Sequence, residues 1–299
     1  MQALFDADIL VFRCGFAAER AKWFLNILTG PNAGKREQFD YKREADIALD
    51  ELLPGRESRK EVEDYELWSE RFVEPVEHAL HNVKTVVERA QSCLHLTDWD
   101  TTMFLSGPDN YRYDVAVTRP YKGNRYTKHR PTHEEAIKDY IKSKWATVIS
   151  EGEEADDALG IHQTSIGPNE SVIISQDKDL DMIPGLKYDF VEDETYSVTE
   201  EQAMHNFYMQ LLMGDTTDNI PGLPKIGKAK AKKALEGVEV EDQMGVVMQM
   251  YERHAPQADW YEYLREQGKL LWIRRVAGEI WEPPSIEAAG LEVPEVSMY

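Results

Sequence analysis

The sequence predicts an α/β fold with a central, mainly parallel sheet flanked by helices, and three observations predict it. Short apolar runs end abruptly in acids or turn residues: Ala3-Leu4-Phe5 before Asp6-Ala7-Asp8, 101–105 before Ser106-Gly107-Pro108, 145–149 before an acidic stretch, and 171–175 before Gln176-Asp177-Lys178-Asp179. Continuous, β-branched runs of this kind suit strands buried on both faces of a parallel sheet. Helical periodicity fills the intervals, giving the alternation of βαβ units. Right-handed crossovers would then bring every strand end to one edge, where α/β sheets bind their ligands.

The elements follow in order. Ala3 to Phe5 reads as a buried strand, and 9–20 as a helix. Residues 28–60 change character, starting with a loop at Thr29-Gly30-Pro31-Asn32-Ala33-Gly34. From Glu44 to Glu77 acids crowd the chain, opposed only by Arg56, Arg59, Lys60 and Arg71. Trp68, Phe72, Val76, Leu80, Val83 and Val87 recur at three- and four-residue steps, which predicts one apolar face of a long helix bending at Pro75. Its acidic side is read as a solvated face without chemistry. Residues 134–144 are helical by period, 145–149 form a strand, and a helix begins near Glu153. Ser171 to Ser175 is the plainest strand, and another lies at 187–191. Thr199-Glu200-Glu201-Gln202 is a capping box that opens a helix to Met213. Residues 251–272 alternate aromatics and charges at helical spacing. Trp272 to Arg275 with Glu279 to Trp281 predicts a closing strand or clasp, and the Pro- and Glu-rich 283–299 predicts disorder.

Composition narrows the function. With 34 Lys plus Arg against 55 Asp plus Glu, the 299-residue chain carries a formal net charge of −21. That balance excludes indiscriminate electrostatic binding of nucleic acid and leaves local basic patches as the only route to it. Cys14 and Cys93 show neither metal spacing nor a disulfide framework, as in a reducing cytosol. No apolar stretch reaches membrane-spanning length, so the expected location is cytoplasmic.

The chemistry gathers around Gly152 to Gly160, where Glu154, Asp156 and Asp157 place three carboxylates in four positions. Read alone, that is a solvated helix start, since a helix N-terminus tolerates negative charge. Beside further acidic pairs it reads as a cation site, because like charges so close need a counter-ion to stay ionised. The companions are Asp6 and Asp8, Asp177 and Asp179, and Asp215 and Asp218, the last pair either serving a metal or capping a helix. The spacing of Asp177, Asp179 and Asp181 is not an EF-hand loop, since Met182 and Tyr188 occupy its Gly and Glu positions. Two basic patches complete the picture. Between Tyr111 and Arg130 lie Arg112, Arg119, Lys122, Arg125, Lys128 and Arg130, with Tyr111, Tyr113, Tyr121 and Tyr126 between them, as suits a phosphate path with bases to stack. Read alone, the segment leaves the lesser alternative of a mobile basic loop docking within an acidic protein. Gly222 to Gly227 makes a tight turn surrounded by Lys225, Lys228, Lys230, Lys232 and Lys233, a candidate phosphate cradle.

Five motifs now stand in order: Phe5-Asp6-Ala7-Asp8, Tyr121-Lys122-Gly123-Asn124-Arg125, Glu154-Ala155-Asp156-Asp157, Ser175-Gln176-Asp177-Lys178-Asp179, and Gly214-Asp215-Thr216-Thr217-Asp218-Asn219-Ile220-Pro221-Gly222 with Leu223-Pro224-Lys225-Ile226-Gly227. The ordered set resembles the 5′-nuclease family of flap endonucleases, polymerase-associated 5′-nucleases and bacteriophage 5′→3′ exonucleases, the phage branch most. The resemblance covers roughly residues 3–12 and 100–235. It implies a PIN-like core at 1–195, with an acidic helical insert at about 28–95 and a helical arch at about 111–135. It implies a helical region at 196–299 containing a helix–three-turn–helix module at about 214–235.

By the same resemblance, Asp6, Glu154, Asp156, Asp157, Asp177, Asp179, Asp215 and Asp218 would hold two Mg²⁺ or Mn²⁺ ions, with Asp6, Asp156 and Asp179 central to catalysis. Lys122 and Arg125 would contact the scissile phosphate, and Tyr121 would stack on a base. Arg112, Gly222, Lys225, Gly227, Lys228 and Lys230 would bind duplex DNA, with a K⁺ ion held by carbonyls of the glycine turn. The implied activity is metal-dependent 5′→3′ exonuclease or flap endonuclease cleavage of DNA in replication or degradation, extending to RNA–DNA hybrids. The implied setting is the cytoplasm, the host's if the chain is phage-encoded. The chain departs from the family pattern at Ser106, where an acid is usual, with Asp109 three residues on. That leaves two alternatives, Asp109 substituting through a longer loop or one ion held by fewer ligands. Two rival readings are a non-catalytic, structure-specific DNA-binding protein and a DxD-type phosphatase built on Asp6 and Asp8.

Overall fold

The computed structural model describes residues 1–54, 64–125 and 129–287. In chain order its elements are β1 (Gln2–Asp6), α1 (Ala7–Ala17), β2 (Glu19–Ile27), β3 (Arg36–Phe39), α2 (Lys42–Leu52), β4 (Tyr65–Val73), α3 (Val76–Leu94), β5 (Thr101–Leu105), α4 (Arg112–Val115), α5 (Glu134–Lys144), β6 (Ala146–Ile149), α6 (Ala155–Ile166), β7 (Ser171–Ile174), β8 (Gly185–Asp189), β9 (Glu194–Val198), α7 (Glu200–Met213), α8 (Lys228–Leu235), α9 (Val240–His254) and α10 (Trp260–Leu271). No helix of the described residues is long and apolar enough to cross a membrane. The chain divides into two compact units: one of Met1–Ile9, Val86–His129 and Ile141–Tyr299, the other of Leu10–Thr85 and Arg130–Tyr140.

The first unit holds a six-stranded sheet in the order β6-β5-β1-β7-β8-β9. Every neighbouring pair is parallel except β8 with β9. The mixed α/β fold with a mainly parallel central sheet is therefore the one predicted. β1 lies in the middle, and its Ala3, Leu4 and Phe5 are fully buried because both faces of a central strand are covered. Parallel pairing sends the carboxyl ends of β1, β5, β6 and β7 to one edge, where Asp6, Ser106, Ser150 and Ser175 follow.

α6 packs over this sheet through Ala155, Ala158 and Leu159, which meet Leu4, Phe104 and Ile173. Gly160 allows a close approach on that helix: a Cβ there would lie 2.3 Å from the Arg274 carbonyl oxygen. α7 to α10 form a helical core around Phe207, Leu211, Leu212, Val247, Met248, Tyr251 and Leu264. Between α7 and α8 the backbone of Gly214 touches that of Gly222, both at positive φ (71° and 57°), so neither position has room for a side chain.

The second unit contains the three-stranded antiparallel sheet β3-β2-β4, with α2 on one face. This corrects the long helix expected across Trp68 and Phe72. Residues 65–73 are strand, paired along their length with β2, and only α3 is helical, beginning directly after Pro75. The four-residue step between Trp68 and Phe72 is also twice the strand period, and both rings lie on one strand face beside Phe24. The first helix likewise stops at Ala17, and the chain turns into β2 at Glu19.

Two other expectations change. Among the described residues of the arch, helix is limited to the four residues of α4, a 3-10 turn at Gly123–Arg125 and the first two residues of α5. Of the closing strand or clasp, the described residues 272–287 contain no strand, and the Arg274 amide clasps α6 through Asp157. Arg56, Glu57, Arg59, Lys60, Glu61, Glu63, Tyr126, Lys128 and 288–299 lie outside the described residues.

Candidate functional site

The carboxyl edge of the parallel sheet collects acids from distant parts of the chain. Asp6 ends β1 and is 3% exposed. Its carboxylate accepts from the Ser175 hydroxyl (2.8 Å) and the Ile9 amide (3.1 Å). Burial, then the Asp8 charge, pushes its pKa up to about 7, with Asp177 adding to the rise and the two hydrogen bonds opposing it. Asp156, in the first turn of α6, is only half-buried by solvent access, yet is walled in by other acids. Its pKa is raised well above the carboxylate range by burial and then by Asp6, Asp177 and Glu154, against a smaller opposing pull from Lys122.

Asp177 and Asp179 follow β7. The Asp177 amide donates to Ser175 Oγ (2.9 Å), and its side chain accepts from the Asp179 amide (2.9 Å). Asp179 is lifted to about 7 by burial and then by Asp177, Asp215 and Asp218, while Gln210 donates to its carboxylate. Asp215, whose side chain accepts from the Thr217 amide (2.7 Å), is raised by burial and by Asp218. Asp6, Asp156, Asp177, Asp179, Asp215 and Asp218 thus lie close enough together for their charges to act on the ionisation of Asp6, Asp156, Asp179 and Asp215.

The other predicted acids are engaged differently. Asp157 is fully buried and makes a bidentate pair with Arg112 (2.5 and 2.9 Å). It also accepts from the amides of Arg274 (2.9 Å) and Glu154 (3.1 Å). Burial alone would raise its pKa, but Arg112 and these amides hold it below the usual carboxylate value. Arg112 itself is 2% exposed and donates to the carbonyls of Leu270 (2.9 Å) and Trp272 (2.6 Å). The structure therefore places both residues in a buried clasp between α4, α6, the end of α10 and the segment after it.

Glu154 accepts from Asn110 Nδ2 (2.7 Å) and from Lys122 Nζ, and lies 3.1 Å from the Tyr121 hydroxyl. Asp218 is 2.8 Å from the same hydroxyl and pairs with Arg125 and, at 3.7 Å, with Lys122. Tyr121 is 3% exposed, so its ring is buried rather than offered to a base. It packs edge-on to Tyr113, with ring centroids 5.7 Å apart.

Three residues outside the ligand set that the resemblance implies also bear on this edge. Ser106 donates its amide to Asp8 (3.1 and 3.3 Å), and its hydroxyl accepts from the Ala155 amide (3.0 Å). The position expected to carry an acid thus holds one in place from β1's side, while Asp109 is exposed. Asp8 had a signal, two residues beyond Asp6 at a strand end. Lys187, 3% exposed in β8, faces Asp181, Arg275 and Asp156, and its ammonium nitrogen has no hydrogen-bond partner among the described residues. Burial lowers its pKa to about 7. A lysine in a short strand gives no advance sign of that environment.

The second basic patch is exposed at Lys225, Gly227, Lys228, Lys230, Lys232 and Lys233, with Lys225 at positive φ and Gly227 capping α8. Gly222 is buried. Its amide donates to Gln267 (3.1 Å) and its carbonyl, one of those expected to face a monovalent cation, accepts from Tyr263 (2.6 Å).

A donor set made only of carboxylates is the chemistry of a hard divalent cation such as Mg²⁺ or Mn²⁺. Among the described residues, however, no group of three or more His, Cys, Asp or Glu side chains is arranged so that it could hold a metal ion. The donor chemistry fits, and the side-chain arrangement would have to change for a cation to be held.

No protein-family model matches the chain, and no curated protein matches it. Among solved structures, the chain is similar to the bacteriophage T5 5′-exonuclease with bound zinc ions, at 19% identity and a TM-score of 0.46, covering 64% of this chain and 78% of that one. It is also similar to a bacteriophage T5 flap endonuclease in a pseudo-enzyme–product complex with DNA and metal ions, at 18% identity and a TM-score of 0.45, covering 64% and 77%.

Proposed function

We propose that the chain is a divalent-metal-dependent nuclease that hydrolyses DNA phosphodiesters from 5′ ends, as a 5′→3′ exonuclease or flap endonuclease with a PIN-like core. One observation carries the reading: Asp6, Asp156, Asp177, Asp179 and Asp215, spread over more than two hundred residues, gather at one sheet edge, where burial and neighbouring acids raise the proton affinity of Asp6, Asp156, Asp179 and Asp215. Such mutual repulsion is relieved by a bound cation. These five would hold it with Glu154 and Asp218. Asp8, fixed by Ser106, adds negative charge beside Asp6. Asp157 remains with Arg112 as support.

When bound, the cation would lower the pKa of a coordinated water and steady the leaving oxygen. Lys122 and Arg125 supply positive charge beside the acids, where a scissile phosphate would need it. The exposed lysines from Lys225 to Lys233 would grip the duplex backbone. The test compares nucleotide release from 5′-labelled blunt duplex, nicked duplex and 5′-flap DNA in Mg²⁺, Mn²⁺ and EDTA. Cleavage that persists undiminished in EDTA would sink the metal requirement, and the preferred substrate decides between exonuclease and flap endonuclease.

A second reading, a non-catalytic DNA-binding protein, is favoured by the lack of a ready three-donor group among the described residues. It predicts binding of branched DNA with no cleavage at any Mg²⁺ or Mn²⁺ concentration. The DxD phosphatase reading is disfavoured, because the carboxylate of Asp6 is buried and bonded to Ser175 and Ile9 instead of being open to a substrate.

A further inference from the structure

The segment 120–125 is stitched to 216–219 along its whole length. The Lys122 amide donates to the Asp218 carbonyl (2.9 Å). The Asn219 side chain donates to the Pro120 carbonyl (2.9 Å), and the Asn124 side chain to the Thr216 carbonyl (2.7 Å). Arg125 Nε donates to the Thr217 carbonyl (3.2 Å). Lys122 and Asn219 both have left-handed backbones, with φ of 52° and 64°. Residues other than glycine hold that conformation only when surrounding bonds over-determine it. The result is that Lys122 and Arg125 point at Glu154 and Asp218 and neutralise them. The Lys122 side chain is 21% exposed; burial works against its charge, but Glu154 and Asp218 outweigh that and raise its pKa above the ordinary lysine value.

We propose that Asn124 and Asn219 are positioning residues that fasten 120–125 as a strap, and that Lys122 and a divalent cation compete for the Glu154 and Asp218 carboxylates. Loading the cation then releases the strap. The inference rests on the metal-dependent reading above and adds to it that two of the proposed ligands, Glu154 and Asp218, are already held by the strap's cations. It also gives Lys122 a second station. Displaced from the carboxylates by the ion, its ammonium becomes available to an anionic substrate, so metal loading and phosphate binding are coupled through one side chain.

The test uses the full chain and two variants outside the ligand set, Asn219→Gly, which keeps the left-handed backbone accessible, and the milder Asn124→Ala. Hydrogen exchange is followed by mass spectrometry in a peptide spanning 119–125, and Mn²⁺ affinity is measured by electron paramagnetic resonance. Without metal, exchange in the variants should be about tenfold faster, as expected for losing one or two partly exposed hydrogen bonds. Saturating Mn²⁺ should accelerate the same peptide in the wild type, and the variants should bind Mn²⁺ roughly three- to tenfold more tightly, having less strap to displace. If Mn²⁺ binds but leaves exchange and affinity the same in wild type and variants, the strap does not compete and the inference fails while the metal-dependent reading stands. If neither wild type nor variants bind Mn²⁺, the metal-dependent reading falls, and the competition with it.

Discussion

Asp156 and Asp157 are neighbours in the first turn of α6, yet the regions they face are opposites. Asp156 looks toward Asp6 and Asp177, and its proton affinity rises. Asp157 looks toward Arg112 and two backbone amides, and its proton affinity falls. One side of the turn concentrates uncompensated negative charge, and the other dissolves it in a buried ion pair. The lesson is a division of labour within one acidic motif: the compensated acid anchors the helix start, and the uncompensated one is the candidate ion ligand of the proposed function. Glu154 falls between, compensated by Lys122, a cation that is itself only partly buried.

The largest expected effect breaks the compensated side. Arg112→Ala leaves Asp157 charged and buried without its partner, which should cost about 3–5 kcal/mol in urea denaturation. A loss below about 1 kcal/mol would mean that the amides of Arg274 and Glu154 alone suffice for Asp157.

Next comes Lys187, a buried cation in β8. Its folded pKa of about 7 lies below the ordinary value of 10.5, so the unfolded chain binds the proton more tightly. Its contribution to stability is therefore complete above about pH 10.5 and is lost progressively as pH falls toward about 7, with no further change below. Lys187→Met should remove this dependence and be more stable than wild type by roughly 2–3 kcal/mol at pH 6 to 7, after allowance for relaxation around the buried charge. Denaturation curves at pH 6.5 and 9.5 check it: the advantage of the variant should shrink at the higher pH.

The sharpest form of the comparison pairs two isosteric changes. Asp157→Asn should destabilise by about 2 kcal/mol through loss of charge-assisted bonds. Asp156→Asn should stabilise the metal-free protein by about 1 kcal/mol by relieving repulsion, while abolishing metal-dependent cleavage. Equal signs for the two variants in thermal melts would erase the distinction. The smallest effect is Ser106→Ala, which deletes the hydroxyl that accepts from Ala155 at the start of α6 and should cost about 1 kcal/mol. The serine amide remains to hold Asp8, so the electrostatics of the edge should change little.

Much of the α/β core was legible. Ala3 to Phe5, 101–105 and 171–174 are short, apolar and β-branched or aromatic, and they became the three central strands of the sheet. β2 and β4 were not legible. Four-residue spacing is shared by one turn of helix and two steps of strand, so Trp68 and Phe72 fitted both, and the pairing with β2 that decided between them is a contact across more than forty residues. At the site, the acids on strand ends could be picked out because a parallel sheet sends those ends to one edge. The roles of Arg112 and Tyr121 could not. A buried arginine and an exposed one look alike in sequence, and only the carbonyls of Leu270 and Trp272 mark Arg112 as structural.

Local order along the chain determined which residues carry charge, where strands stop, and therefore that carboxylates would meet at one rim. Tertiary structure alone decided which of them keep their repulsion and which lose it to Arg112, Lys122 or Arg125. The reason is that a carboxylate's ionisation depends on charges and dipoles within a few ångströms of it, and folding brings those neighbours from positions the sequence keeps far apart.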